Sequence, residues 1–482
     1  MLILPYSRPL TEPVIKPIIS TEIYENRGNM AENLPIWRNL KIGLFHLGSG
    51  MADVLATGVW NRIMISDLGY SATPIGLLVS LRYFLAPLGI WAGRVSDHRT
   101  VGGYRRLFWV WLGRALMVFS LFILGMVTTS LLRGAEAALP AWAVMTLSLL
   151  LFSLGNALSG STFLALIYDR TPEHQRGRAV GIVWTFLLLG FTIGGILFGV
   201  MLPSSTGDTG LSFTPDALQN LFIFTALLLT ALWFFSLFGE ERRNSAAVIS
   251  EPESRSSAWA DLRLVWRNAH LRYFLFYLAL SMIFAFAQDL VLEPFAGDVF
   301  GMEARITSRF AAYWGSMSIV GSILFLILSR RFKRLNNTVM SSVGVVTLIV
   351  TFIVFGISAL VGVRWLVTPG LILLGFGLGL WNIGTLGLMM DMSPAERAGT
   401  FLGFWTLVVT FARGFGVSGG GILRDLMLGL TGSLQVAYGS VFMLEIFGLL
   451  LALWALRLVN VRGYHEAKPS ADTAAVLAGA LD

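Results

Sequence analysis

Apolar stretches of about 20 residues, the length a helix needs to cross the hydrocarbon core of a bilayer, recur along the chain between short polar segments. The pattern predicts an all-α integral membrane protein with twelve transmembrane helices. The predicted spans are residues 42–62, 73–93, 107–131, 140–166, 179–201, 219–239, 271–293, 306–329, 338–362, 366–390, 399–420 and 437–457.

The longest internal polar segment lies between the sixth and seventh spans and divides the chain into two bundles of six helices. The predicted regions are a cytoplasmic N-terminal arm at 1–36, a first bundle at 37–239, a cytoplasmic linker at 240–270, a second bundle at 271–460 and a cytoplasmic C-terminal tail at 461–482.

The orientation in the membrane follows from the distribution of lysine and arginine among the loops. Loops after even-numbered spans carry most of these residues, among them Arg94, Arg176, Arg242 and Lys333. Cytoplasmic loops of membrane proteins are enriched in positive charge. Both termini and the central linker are therefore predicted to be cytoplasmic.

Composition narrows the classes of function. Hydrophobic residues make up 55% of the chain and charged residues 13%, whereas a soluble protein carries about 25% charged residues. The net charge of +7 lies in loops between apolar spans, so the bilayer rather than nucleic acid is the expected partner. The absence of cysteine excludes disulfides and thiolate metal sites. With no phosphate-binding glycine loop, zinc-ligand spacing or nucleophile elbow, neither enzymatic activity nor a metal site is expected.

An internal repeat supports two equivalent halves. A shift of 222 residues without gaps superimposes the pattern Asp-x-x-Pro-x4-Gly-x3-Gly on itself at equivalent loop-to-helix junctions. Parallel six-helix repeats are a known transporter architecture. The matched pairs are Gly155 with Gly377, Asp169 with Asp391, Pro172 with Pro394, Gly177 with Gly399, Gly181 with Gly403, Gly194 with Gly416, and Gly199 with Gly421.

The loop after the second span resembles the Gly-x-x-x-Asp-Arg signature of the major facilitator superfamily, and the loop after the fourth span resembles its Arg-Gly-Arg junction. The resemblance implies that these loops hold the cytoplasmic side in one conformation; the alternative is that their basic residues only anchor the loops at the membrane surface. The candidate residues for this role are Gly93, Asp97, Arg99, Arg105, Arg106, Asp169, Arg176, Asp391 and Arg397.

A narrower resemblance lies in residues 288–302, which are similar to the hallmark motif of the PucC, or bacteriochlorophyll-delivery, family. Residues 58–65 and 86–88 agree with it. The resemblance implies a membrane factor for assembly of light-harvesting complexes in a bacterial inner or intracytoplasmic photosynthetic membrane. Its implied cargo is (bacterio)chlorophyll, and its implied partners are antenna polypeptides and pigment-synthesis enzymes. A secondary transporter of a small solute and a non-transporting scaffold for antenna assembly remain alternatives.

Within the hallmark, Gln288, Asp289, Glu293 and Pro294 are the candidate site residues. The two carboxyl groups are predicted to share one helix face in the outer third of the seventh span, where Pro294 ends or kinks the helix. They would dock a pigment head group or a partner helix. Alternatively, they stabilise their own loop through Arg305 or Arg309.

Charged residues inside other spans are matched in depth. An unpaired charge at the bilayer centre costs at least about 2.5–3.5 kcal/mol, so charges at one level are expected to pair. The sequence predicts the ion pairs Asp53–Arg82 and Arg413–Glu445, which either contribute to function or only fix helix packing.

Polar residues also recur on one face of the first span, which lines the central cavity in the superfamily fold. His46 is a candidate axial ligand for a chlorophyll magnesium, although a lone histidine on such a face is more often a packing residue. Span 10 offers a facing polar and aromatic patch. The cavity candidates are His46, Ser49, Asp53, Trp381, Asn382 and Thr385.

Overall fold

Twelve helices in the described part of the chain are long and apolar enough to cross a membrane, as the sequence predicts. The computed structural model describes residues 35–134, 139–172, 175–202, 213–241, 266, 268–332, 335–393, 398–461 and 464. Most of the predicted arm, linker and tail therefore lies outside the described residues. The spans, numbered 1 to 12, are Ile36–Asp67, Ala72–His98, Leu107–Leu132, Leu139–Arg170, Arg178–Met201, Pro215–Leu237, Ala269–Leu290, Ala304–Ser329, Asn337–Val361, Arg364–Asp391, Gly403–Thr431 and Leu434–Leu458.

Span 1 extends well beyond the apolar stretch that predicted it. Span 1 begins at Ile36 and ends at Asp67, whereas its apolar stretch covers only 42–62. Asn39 and Arg62 are both buried in the protein. The helix continues through these polar residues because protein surrounds them there, so hydropathy alone places the boundaries of this span too far inward.

The two halves repeat the same helix pairing. In the first half, span 1 packs on spans 5 and 6, span 4 packs on spans 2 and 3, and span 3 packs on span 6. The second half repeats each of these pairs six spans later. The halves meet where span 2 contacts span 11 and where span 5 contacts span 8.

Small residues allow a close helix approach between spans 1 and 5. A Cβ atom added to Gly50 would lie only 3.0 Å from the Cα atom of Gly190. Such small-residue faces bring helix backbones together inside a membrane, where van der Waals packing drives association.

Span 7 is broken rather than continuous, which corrects the prediction of one helix over 271–293. An α-helix over Ala269–Ala285 ends in a 3₁₀ turn over Ala287–Leu290, and a second helix covers Leu292–Phe300. Pro294 lies in the first turn of that second helix, where its missing N–H costs no hydrogen bond. The proline therefore starts a helix and does not end one.

The break separates the two hallmark carboxyl groups. Asp289 lies in the 3₁₀ turn and Glu293 in the following helix, so the prediction that they share one helix face is wrong. Neither is paired with Arg305, whose guanidinium lies 2.6 Å from the carboxylate of Glu303.

Other spans satisfy the backbone at the break. The Gln288 N–H donates to the Glu445 carboxyl at 2.6 Å, and the Leu290 carbonyl accepts from the Asn61 amide at 2.8 Å. Irregular backbone at membrane depth is tolerated only where protein or a water-filled cavity surrounds it. Glu445 and Asn61 therefore stabilise the break from spans 12 and 1.

Candidate functional site

A central cavity of about 210 Å³ lies between the two halves, against the break in span 7. Its lining combines charged and polar side chains on spans 1, 2, 7, 10 and 11 with a group of aromatic side chains. The polar group is Asp53, Arg82, Gln288, Asp289, Glu293, Asn382 and Arg413; the aromatic group is Trp184, Phe191, Phe286, Trp314 and Trp381.

The first ion pair of the cavity joins spans 1 and 2, as depth matching predicts. The Arg82 guanidinium lies 2.6 Å from the Asp53 carboxylate and also donates to the Tyr83 hydroxyl at 2.7 Å. The Arg82 side chain is 6% exposed and that of Asp53 is 34% exposed. The carboxylate is therefore the more accessible member of the pair.

The second ion pair differs from the prediction. Arg413 lies 2.7 Å from Asp289 and stacks on the Phe286 ring at 4.0 Å from the centroid. The predicted partner, Glu445, instead accepts the Gln288 N–H. Depth counting treats span 7 as a continuous helix, whereas the 3₁₀ turn brings Asp289 to the level of Arg413.

Glu293 is the third carboxyl of the cavity. It is 7% exposed, and it forms no ion pair with any described residue. The two guanidinium groups that line the cavity pair with Asp53 and Asp289. The carboxyl predicted to lie in the outer third of the seventh span therefore faces the central cavity without an ion-pair partner among the described residues.

The other cavity candidates divide into two groups. Trp381 and Asn382 line the cavity, whereas His46, Ser49 and Thr385 are not among its lining residues. Ser49 donates to a backbone carbonyl of its own helix, and the Thr385 hydroxyl lies 2.7 Å from that of Tyr277.

His46 lies in an aromatic cluster of the first half. Its ring stacks with Phe45 and Phe163, with centroid distances of 5.7 and 4.9 Å, and meets the edge of Trp184 at 6.5 Å. This environment fits a packing role for His46 better than a role as a magnesium ligand directed into the cavity.

Arg114 is a buried charge that depth matching does not find. It is 1% exposed, and its guanidinium lies 4.3 Å from the Phe45 ring centroid and 4.6 Å from that of Trp233. Aromatic faces attract cations and stabilise desolvated ones. In the sequence, this buried charge is visible only as a single arginine within the apolar stretch of span 3.

We define the proximal end of the molecule as the end where spans 1 and 7 begin, and the distal end as the opposite one. At the proximal end, Arg106 contacts both Asp97 and Asp169 and donates to the Ser96 hydroxyl at 2.6 Å. Arg105 also contacts Asp169. Among the described residues, these contacts stay within the first half.

The remaining loop candidates have separate surroundings. Gly93 accepts a hydrogen bond from Arg106 through its carbonyl, and Arg99 is exposed. The Arg176 guanidinium lies 5.4 Å from the Tyr168 ring centroid. In the second half Asp391 accepts from the Asn337 amide at 2.9 Å, and Arg397 lies outside the described residues.

Glu241 reinforces this network although the sequence does not indicate it. Its carboxylate accepts the N–H groups of Arg105, Arg106 and Leu107 at 2.6–3.0 Å. A carboxylate at a helix N-terminus satisfies free N–H groups and interacts favourably with the helix dipole. The end of span 6 is thereby fixed to the start of span 3.

At the distal end, hydrogen bonds join the two halves directly. The Asp425 carboxylate of span 11 accepts the Ala72 and Thr73 N–H groups, which begin span 2, at 3.0 and 2.7 Å. The Arg62 guanidinium donates to the Met302 carbonyl at 2.8 Å. These contacts, together with Asn61 to Leu290, form a layer between the halves that we name the distal seal.

Comparison with known proteins defines the family. The family described as "PUCC protein" matches residues 59–464. The chain belongs to the PucC family. A protein named PucC from Rhodovulum sulfidophilum is 29% identical over 409 residues, which cover 82% of this chain and 86% of that protein. The "Bacteriochlorophyll synthase 44.5 kDa chain" of Rhodobacter capsulatus is 29% identical over 451 residues, which cover 91% of this chain and 98% of that protein.

Solved structures show the fold of this PucC family member. A bacterial homologue of the human lysosomal transporter Spinster, inward-facing and occupied, has a TM-score of 0.65 at 13% identity, over 88% of this chain and 96% of that one. An inward-facing bacterial homologue of the iron transporter ferroportin has a TM-score of 0.63 at 14% identity, over 89% of this chain and all of that one. The chain therefore has the major facilitator fold expected from its loops.

Proposed function

We propose that this PucC family member is a membrane assembly factor for photosynthetic light-harvesting complexes, which binds or delivers (bacterio)chlorophyll to antenna polypeptides. The observation that carries the proposal is the family match over residues 59–464. That range includes eleven complete spans and the distal part of the first. The relatives' names, which include a bacteriochlorophyll synthase chain, support a function connected with this pigment.

The size of the central cavity bears on where a pigment binds. Its volume of about 210 Å³ is below the ~300–1,000 Å³ of pockets for drug-sized ligands. A chlorophyll-type pigment, with its macrocycle and hydrocarbon tail, is larger than such ligands. In this conformation the cavity does not enclose a pigment, which favours a lipid-facing surface.

The first surface to test is an apolar groove of about 350 Å³ between spans 3 and 6. Phe119, Phe122 and Phe234 line it, and the first two are 56% and 41% exposed. Aromatic side chains offer flat faces to a macrocycle. A pigment bound there would lie at the lipid boundary, where antenna helices can reach it.

The test is an absorption spectrum with pigment extraction, on protein purified in mild detergent from a phototrophic host. Near-stoichiometric pigment supports the proposal, and we expect Phe122→Ala to lower the pigment content. Phe276→Ala, a change at an exposed aromatic residue of span 7, serves as the matched control, and Asp289→Asn tests the cavity. Colourless protein, together with normal antenna levels in a strain that lacks it, would contradict the proposal.

A second candidate function is secondary transport of a small solute. It is favoured by the two ion pairs and the broken span around a central cavity, because discontinuous helices form the substrate sites of several transporters. Counterflow in liposomes that is abolished by Asp53→Asn would support it. Crosslinks to antenna polypeptides without transport or pigment transfer would favour the scaffold alternative.

The remaining sequence-based expectations belong to the same proposal. We propose a bacterial inner or intracytoplasmic membrane location with both termini cytoplasmic, which makes the proximal end the cytoplasmic one. Antenna polypeptides and pigment-synthesis enzymes are the proposed partners, with pigment as cargo rather than a resident cofactor. We propose no enzymatic activity for the chain.

A further inference from the structure

Two buried polar atoms on residues that line the central cavity form no hydrogen bond with the described residues, and a third lining residue is a buried carboxyl without an ion pair. The Gln288 Oε1 and Trp381 Nε1 atoms accept and donate no hydrogen bond, although these residues are only 3% and 1% exposed. The Glu293 carboxyl, 7% exposed, has no ion pair. Buried polar groups are normally satisfied, so two unsatisfied atoms and an unpaired carboxyl at one cavity indicate a ligand that interacts with them.

The charges around the cavity indicate the sign of that ligand. Its lining includes three carboxyl groups and two guanidinium groups. Arg82 and Arg413 pair with Asp53 and Asp289 at 2.6 and 2.7 Å, which leaves Glu293 without an ion pair among the described residues. Since a buried carboxylate without a partner is unfavourable, a cationic ligand beside Glu293 would remove the imbalance.

The cavity wall is suited to an organic cation. Trp184, Phe191 and Trp314 line it together, and the Phe191 and Trp314 ring centroids are 4.9 Å apart. Aromatic faces attract ammonium groups through the ring quadrupole, and they pack well against apolar carbon. The volume of about 210 Å³ limits the ligand to a small molecule.

We propose that the central cavity binds a small organic ammonium compound with an apolar or aromatic body. The ammonium group donates to the Glu293 carboxylate and to Gln288 Oε1, and the body packs against the tryptophans. An acceptor atom on the ligand would receive the Trp381 N–H. This site goes beyond pigment handling and does not depend on it, because the pigment surface proposed above is the outer groove.

The experiment measures binding to the full chain in lipid nanodiscs by calorimetry. The probes are phenethylammonium chloride and its neutral analogue 2-phenylethanol, which share the aromatic body and differ in charge. We expect the ammonium compound to bind at least about tenfold more tightly at neutral pH, as for a charge pair in a desolvated site. Equal affinities, or no binding of either probe, would overturn the proposal.

Two variants locate the site. Glu293→Gln should abolish the preference for the ammonium compound, whereas Glu303→Gln, a change in an exposed ion pair with Arg305, should retain it. Trp314→Leu should weaken ammonium binding by roughly 2- to 30-fold, which provides a test if Glu293→Gln fails to fold. If the preference for the ammonium compound survives in both Glu293→Gln and Trp314→Leu, the compound binds elsewhere. Pigment content, measured separately, reports on the proposed function alone.

Discussion

The distal seal predicts that one carboxylate holds the two halves together. Asp425 of span 11 accepts two N–H groups at the start of span 2, so its bonds exist only while these two spans remain in contact. Asp425→Asn removes the charge and one of the two acceptor atoms. We expect this change to favour conformations in which the distal end opens.

The structure sets the size of the effect. A capping side chain contributes about 0.5–2 kcal/mol, and a charge near a helix terminus contributes up to about 2 kcal/mol in a partly buried site. The Asp425 side chain is 19% exposed, and asparagine keeps one acceptor. A loss of about 1–3 kcal/mol corresponds to a shift of roughly 5- to 150-fold in the population with an open distal end.

The absence of cysteine makes this shift measurable. A single thiol introduced as Thr57→Cys, in the cavity lining, would be the only one in the chain. A membrane-impermeant thiol reagent labels this cysteine in two sets of vesicles, which hold the protein in opposite orientations. The labelling rates from the two sides are then compared. The prediction is that Asp425→Asn accelerates labelling from the distal side by the factor given above.

The matched control is Asp216→Asn in the same Thr57→Cys background. Asp216 pairs with Arg133 within the first half, and both side chains are more than half exposed, so its loss should leave the labelling rate unchanged. An unchanged rate in Asp425→Asn, or an equal increase in the control, would refute the conclusion that Asp425 holds the distal end closed.

Two further predictions concern stability, measured by scanning calorimetry of the protein in detergent. Glu445→Leu leaves the buried Gln288 N–H without its acceptor and should cost about 1–3 kcal/mol, whereas Glu445→Gln keeps an acceptor and should cost less; equal losses would contradict this role. Asp53→Asn removes the charge paired with Arg82 and should cost about 1–3 kcal/mol, below the ~3–5 kcal/mol for fully buried pairs, because Asp53 is one-third exposed. The double variant Asp53→Asn with Arg82→Met should recover part of the stability lost in Asp53→Asn. If the double variant instead loses the sum of the two single-variant losses, the two side chains are not energetically coupled.

Much of the fold could be predicted because a bilayer imposes a simple length and composition on each span. Helix number and the two equivalent halves follow from these patterns. The boundaries do not, since buried residues such as Asn39 and Arg62 extend a helix once other parts of the protein surround them. The break in span 7 leaves an ambiguous signal, because Pro294 is compatible with either a helix end or a helix start.

The candidate site was only partly predictable, because side-chain depth was inferred from straight helices. That assumption holds for Asp53 and Arg82, which lie on neighbouring continuous segments, and it fails for Arg413 because Asp289 lies in a 3₁₀ turn. The distal seal was not predictable. A bond from Asp425 to the backbone of Ala72 and Thr73 crosses more than 350 residues of sequence and leaves no pattern in either segment.

The broken seventh span also has a consequence for biosynthesis. The Gln288 N–H obtains its acceptor from Glu445, which is synthesised 157 residues later. At about 5–20 residues per second, the ribosome needs roughly 8–30 s to supply that residue. During this interval the Gln288 N–H lacks this acceptor, although Asn61 is already available to the Leu290 carbonyl. The second half therefore reaches its final packing only after the twelfth span has entered the membrane, and chains that end before it would be targets for membrane proteases.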